Sequence, residues 1–261
     1  MKKIAIIGGG NMGAAIFSRV RGEFSVCVCE ASAERQSFLK RNFKIKTEDI
    51  KSAVKKSDVI ILAVKPQDFD PVLNEIRPFI SSKKLVISIA AGVTSIYIEE
   101  QLGEGARVIR TMPNMPAQIS EGITAIAGGK LAKPADIKLA QTIFNCVGKT
   151  ITVEENLIDA ITAVSGSGPA YVFLFVECLM KAAQALGLNE AQSRELVYST
   201  LAGSAHLLER SRDDAATLRS KVTSKGGTTQ AAMDVFTQYN IEKIFQEALS
   251  AAQKRAKELS K

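Results

Sequence analysis

Short runs of β-branched and aliphatic residues recur along the first part of the chain: KIAIIG, FSVCVCE, DVIILAV, LVISIA, RVIRTM, GITAIA and KTITV. Between them, apolar positions fall three and four apart. This spacing predicts helices from residue 11 and over 33–42, 69–80, 95–102 and 135–146. Strands alternating with helices imply βαβ units and a mostly parallel sheet. The unbroken apolar runs fit strands covered on both faces. After residue 154 the strand rhythm stops. Helical spacing continues through 156–164, 170–186, 190–210, 213–222, 228–238 and 241–259. Gly187 reads as a helix stop and Asn189 as the next N-cap. The chain therefore reads as a parallel α/β domain over 1–152 followed by an all-helical domain over 153–261.

Composition narrows the function classes. The chain has 261 residues, of which 46% are hydrophobic and 23% charged, as in a soluble globular protein. The net charge of +7 is spread rather than clustered, aromatic residues are 6% and there is no tryptophan. A base-stacking platform is poorly supplied, so no nucleic-acid partner is expected. Cys27, Cys29, Cys146 and Cys178 share no metal-ligand spacing, and His206 is the one histidine. No metal site is expected. The lack of a disulfide framework implies a reducing compartment, and the N-terminus lacks the long apolar region of a signal peptide. A cytoplasmic protein follows from these. The run AYVFLFVECLMKAAQALG carries Glu177 and Lys181, so it predicts a buried core helix rather than a membrane span.

The opening IAIIGGGNMG places Gly8, Gly10 and Gly13 in a G-x-G-x-x-G pattern between a strand and a helix. The first glycine makes the tight turn, the second admits a pyrophosphate close to the backbone, and the third lets helix and strand pack. The helix start then meets the phosphate charge. This is the fingerprint of a Rossmann-type dinucleotide-binding domain. Glu30 lies about 20 residues on, where an acid accepts from a ribose 2′-OH and repels a 2′-phosphate. That favours NADH, although Ser32 and Arg35 just beyond are able to serve a phosphate. AVKPQ at 63–67, SIAAGV at 88–93 and MPNMP at 112–116 each follow a strand. Their small or proline-stiffened backbones would line the carboxyl edge of the sheet, where open α/β sheets bind ligands.

Far downstream, SKGGTTQAAMDVF (224–236) runs two glycines and two threonines into a helix pattern. Its first N–H groups and dipole suit a carboxylate. Thr228 or Thr229 would equally serve as an ordinary cap. SGSGPAY (165–171) reads either as a kink between helices or as a turn beside a ligand pocket.

Taken in order, GxGNMG, AVKPQ, SIAAGV, MPN, VSGSGPAY and GGTT resemble pyrroline-5-carboxylate reductase from Lys3 to about Leu259. The resemblance implies NAD(P)H-dependent reduction of 1-pyrroline-5-carboxylate to L-proline, the last step of proline synthesis. It implies a helical domain that interlocks two subunits, with an active site at the dimer interface and larger rings of dimers in the family. It places Gly8, Gly10, Asn11, Met12, Gly13, Glu30, Ala63, Val64, Lys65, Pro66, Ala90, Ala91 and Asn114 on the cofactor. It places Ser224, Thr228 and Thr229 around the substrate, with Thr229 as the catalytic residue, and the free N–H groups of the helix start add Gly226 and Gly227. The chemistry agrees. A protonated imine is already electrophilic, so positioning and water exclusion suffice and no catalytic histidine is needed.

Three positions depart from the family pattern. Lys225 stands where the family has the proline of S-P-G-G, Glu30 stands where it has a small polar residue, and an asparagine near Ile50 is missing. Together these weaken the family's NADPH preference, so the cofactor is NADPH by resemblance and NADH by local chemistry. The competing readings are a β-hydroxyacid-dehydrogenase-type reductase, which lacks support because no G-x-x-x-N-K occurs in the second half, and a non-enzymatic nucleotide sensor.

Overall fold

The computed structural model describes residues 1–260. All seven apolar runs of the first part are strands: β1 (Lys3–Ile7), β2 (Ser25–Cys29), β3 (Val59–Leu62), β4 (Leu85–Ser88), β5 (Arg107–Met112), β6 (Gly122–Gly128) and β7 (Gly148–Thr152). They form one sheet in the order β2-β1-β3-β4-β5-β6-β7. Every neighbouring pair is parallel except β5 and β6, which are antiparallel.

Six helices accompany the sheet: α1 (Asn11–Val20), α2 (Ala33–Phe43), α3 (Ile50–Lys56), α4 (Phe69–Ile76), α5 (Ser95–Leu102) and α6 (Pro134–Phe144). Successive strand residues point to opposite faces, and both faces are covered. Ile4 and Ile6 of β1, Val59 and Ile61 of β3, and Leu85 and Ile87 of β4 pack with Ile16 and Phe17 of α1 and Ile143 and Phe144 of α6. Ile7, Ile60, Leu62 and Val86 face the other way, onto Phe69 and Leu73 of α4 and Ile98 of α5. This is why the strands read as unbroken apolar runs.

Two helical expectations change. The predicted helix over 69–80 ends as α4 at Ile76, and Arg77–Phe79 tightens into a 3-10 turn. Pro78 lacks an N–H, so the i→i−4 hydrogen-bond ladder of α4 cannot continue through it. Helix α3 has no counterpart in the apolar pattern. It has seven residues and buries only Ala53 and Val54. Asp49 starts it by accepting from the Ser52 N–H at 2.9 Å.

The rest of the chain is helical: α7 (Ile158–Ile161), α8 (Gly168–Ala185), α9 (Glu190–Arg210), α10 (Ala215–Lys221), α11 (Thr228–Gln238) and α12 (Ile241–Glu258). A wide π turn, Thr162–Gly166, joins α7 to α8, and the Ser167 N–H reaches back to the Thr162 carbonyl at 2.8 Å. The chain forms two compact units. One is Met1–Pro169 with the stretch from Ala251 onward, and the other is Ala170–Ser250.

In the first unit, β5 carries Arg110, only 2% exposed. Its guanidinium reaches Asp159 Oδ1 at 3.0 Å and Glu155 Oε1 at 3.4 Å. Glu155 also accepts from the Ser95 N–H at 2.7 Å and from the Ser95 hydroxyl. These ties fasten the entry to α7 onto the sheet. In the second unit, α8 departs from its expected burial. No residue of α8 is buried, and Val172, Phe173, Leu174, Phe175 and Leu179 are exposed. An apolar sequence demands a cover for that face but does not say which chain provides it.

Candidate active site

Strands β1, β3, β4 and β5 run in one direction, with Ile7 beside Leu62, Leu62 beside Ser88 and Ser88 beside Arg110. The segments that follow these strands therefore emerge along one sheet edge. The Gly8 N–H is held by the Cys29 carbonyl and the Ala63 N–H by the Ile7 carbonyl, both at 2.8 Å. Gly8 has φ +105°, and a Cβ there would lie 2.5 Å from the Ala63 carbonyl oxygen. A Cβ on Gly13 would collide with the Gly8 carbonyl. At Gly10 an added Cβ meets nothing within 4 Å, so this glycine borders open space.

Helix α1 starts at Gly10 with no side chain capping its first N–H groups. Such orphan donors at a ten-residue helix form a ready anion site. With the crowded turn beneath it and open space above, this arrangement can hold a dinucleotide pyrophosphate.

A groove of about 1100 Å³ opens here and brings together Gly8, Gly10, Glu30, Ala63, Val64 and Lys65 of the expected residues. Asn11 adjoins it through a 3.3 Å hydrogen bond from Arg35 to its Oδ1. Four others sit back from the groove. Met12 packs against the core, and Gly13 lies beneath the turn. Pro66 opens the 3-10 turn Pro66–Asp68, and Ala90 is buried. Ala91 is half-buried beyond β4. The Asn114 side chain accepts from the Ile123 N–H at 2.9 Å and so ties the loop after β5 to β6.

Glu30 is held on both oxygens. Oε2 accepts from the Gly9 N–H and Oε1 from the Ser32 N–H, each at 2.8 Å. Arg35 Nε donates to the Gly9 carbonyl at 2.6 Å, and its guanidinium lies 4.2 Å from the centre of the Phe38 ring. A Cβ on Gly9 would strike Leu39 and lie 3.2 Å from Glu30 Oε2, which explains the middle glycine of the GGG run.

Thr47 to Ile50 also line the groove, a stretch marked in the sequence by the departure near Ile50. It has no glycine or proline signature, and its one local signal is Asp49 as an N-cap. Hydrogen bonds from Ser52 hold the Asp49 carboxyl below the usual range. Cys29 lines the groove too, but burial pushes its thiol up to about 12, so it stays protonated and unreactive at neutral pH.

The second unit holds the other expected cluster. Gly226 has φ +71°, and the Gly227 N–H bonds the Ser224 carbonyl at 3.0 Å. Gly227 is the N-cap of the eleven-residue α11 and provides no side-chain cap. Thr228 and Thr229 lie inside the first turn, so neither serves as the cap. Thr229 is half-buried, while Thr228 and Lys225 are exposed. Nothing in the structure explains the lysine at 225. In the first unit, Gly166 of the SGSGP segment packs on Met112, whose Cε would lie 2.6 Å from an added Cβ. The turn therefore crosses the end of β5.

A pyrroline-5-carboxylate reductase of Synechocystis sp. is 38% identical over 265 residues, covering 99% of this chain and 98% of that protein. The chain belongs to the pyrroline-5-carboxylate reductase family. The reductase of Mycobacterium tuberculosis is 35% identical over 286 residues, with coverage of 99% and 97%. Residues 155–259 match the family model described as pyrroline-5-carboxylate reductase dimerisation. Residues 3–92 match one described as NADP oxidoreductase, coenzyme F420-dependent. Among solved structures, the Coxiella burnetii pyrroline-5-carboxylate reductase superposes with a TM-score of 0.91 at 38% identity, covering 100% of this chain and 99% of that one. The Plasmodium falciparum pyrroline carboxylate reductase, solved with NADP bound, gives 0.90 at 29% identity, with coverage of 100% and 98%.

Proposed function

We propose that this chain reduces 1-pyrroline-5-carboxylate to L-proline, the final step of proline synthesis, using NADPH or NADH. The observation that carries the reading is the uncapped, glycine-cradled start of α1 in a chain similar to reductases over its whole length. Residues 1–152 serve as the dinucleotide-binding half and 153–261 as the substrate and dimerisation half.

A nicotinamide held here would supply the hydride for the C=N carbon. The protein's part is positional. The first N–H groups of α1 take the pyrophosphate, with Gly8, Gly10, Asn11, Met12 and Gly13 shaping the turn. Glu30 faces the adenosine ribose. Ala63–Pro66, Ala90, Ala91 and Asn114 line the path along the sheet edge. The donors of Ser224, Gly226, Gly227 and Thr228 hold the substrate carboxylate at the start of α11. Thr229 hydrogen-bonds the ring nitrogen and orients the protonated imine, which becomes the amine of proline as the hydride arrives.

The working form is a homodimer. The exposed apolar residues of α8 lie inside the segment that matches a dimerisation model, and a second copy is what that face fits. The stretch Glu155–Ala185 is also long and apolar enough to cross a membrane, but the dimerisation match assigns it to protein contact. A ring of dimers is the larger assembly the family resemblance implies, and the cytoplasm is the place of work on this reading.

The test is to add 1-pyrroline-5-carboxylate to the purified full-length chain with NADPH or NADH and follow nicotinamide absorbance. Oxidation of either cofactor supports the reductase, and no turnover with either overturns it.

A further inference from the structure

The cofactor choice is written into a clasp around Gly9, and we infer that this chain binds NADH in preference to NADPH. The inference rests on the dinucleotide half of the proposed function and does not require the imine substrate. With the pyrophosphate on α1, the adenosine ribose lies at the end of β2, beside Glu30. A flexible glutamate at such a place could swing aside for a 2′-phosphate. This one cannot do so freely, because the Gly9 and Ser32 N–H groups hold both of its oxygens. Each oxygen keeps a further lone pair for a ribose hydroxyl. Toward a 2′-phosphate the fixed carboxylate presents only like charge.

The cation that follows β2, Arg35, is engaged with the glycine turn. Arg35 donates Nε–H to the Gly9 carbonyl and another guanidinium N–H to Asn11 Oδ1, with its Cζ over the Phe38 ring. Glu30 and Arg35 thus grip the two sides of Gly9, one on its N–H and the other on its carbonyl. Arg35 serves as a positioning residue for the glycine turn, with two of its five N–H donors directed to Gly9 and Asn11. The rest of the groove adds negative charge. Among the described residues that line it, Glu48, Asp49, Asp68 and Glu75 join Glu30, against the two cations Arg35 and Lys65. Glu48 is paired with Lys56.

The test is direct binding of NADH and NADPH to the full-length chain without substrate, by fluorescence titration. NADH is expected to bind about ten- to a hundredfold more tightly, with the ratio shrinking as salt screens the repulsion. Glu30→Gln removes the charge while keeping one acceptor, and the ratio falls toward one. Asp49→Asn keeps the α3 cap and lowers the ratio by a smaller factor, which serves should Glu30→Gln fold poorly. Arg35→Ala weakens both cofactors equally. NADPH binding as tightly as NADH in the parent chain, or Arg35→Ala weakening NADPH alone, overturns the inference. Absence of turnover with tighter NADH binding would sink the reductase reading and leave this one standing.

Discussion

Gly10 and Gly13 bracket the start of α1, and the geometry separates a folding role from a binding role. An alanine at Gly13 drives its Cβ into the Gly8 carbonyl, and because the obstacle is backbone, no rotamer change relieves it. The helix must lift off the turn. Overpacking of this kind costs about 1–3 kcal/mol, and a chain of this size loses about 2–4 °C of Tm per kcal/mol. An alanine at Gly10 meets nothing within 4 Å, and the φ of −61° suits any L-residue. Gly10→Ala is therefore expected to change stability by about 0.5 kcal/mol or less. Its methyl group, however, stands at the uncapped helix start, where the pyrophosphate must approach. Holding the phosphate off by a methyl group forfeits about 1.4–3 kcal/mol of binding, or about ten- to a hundredfold in Kd. Thermal melts and NADH fluorescence titrations on the two variants check both halves. Wild-type NADH affinity in Gly10→Ala, or an unchanged Tm in Gly13→Ala, would refute the division of roles.

Thr229→Ala is expected to lower kcat for 1-pyrroline-5-carboxylate about ten- to a hundredfold while leaving the NADH Kd unchanged; an equal loss of cofactor affinity would point to a purely structural threonine. Burial raises the Cys29 thiol from its ordinary 9.0 to about 12. The folded chain keeps a proton that the unfolded chain releases, so stability is lost as pH climbs from about 9 toward 12. Cys29→Ala should flatten that part of the Tm–pH curve, and identical curves would contradict the account. Phe173→Glu puts a charge on the exposed apolar face of α8 and is expected to convert the dimer to monomer in sedimentation; a parent chain that is already monomeric would remove the basis for the proposed assembly.

The central strands were legible because both sheet faces are covered there, which forces unbroken apolar runs such as VIIL at 59–62, while the exposed edge strand β7 was read from its β-branched residues. The glycine spacing of the nucleotide turn was legible for a related reason, since only glycine tolerates the backbone contacts at Gly8 and Gly13. Helix α3 was not legible, because seven residues with two buried positions leave no stripe to read. Burial of α8 was misjudged because composition records how apolar a face is, not whether the same chain covers it.

By itself, the sequence determined the seven strands, most of the helices, the mostly parallel sheet and the glycine turn after β1, all of which follow from local periodicity and local steric demands. Tertiary structure alone decided that Glu30 is pinned by the Gly9 and Ser32 N–H groups, that Arg35 donates to Gly9 and Asn11, and that Gly227 rather than a threonine caps α11. The Glu30 and Arg35 ties to the turn join residues more than twenty positions apart, and the cap depends on backbone angles at one glycine. No pattern along the chain encodes such hydrogen-bond partners, because they exist only once the strand ends and helix starts are brought together.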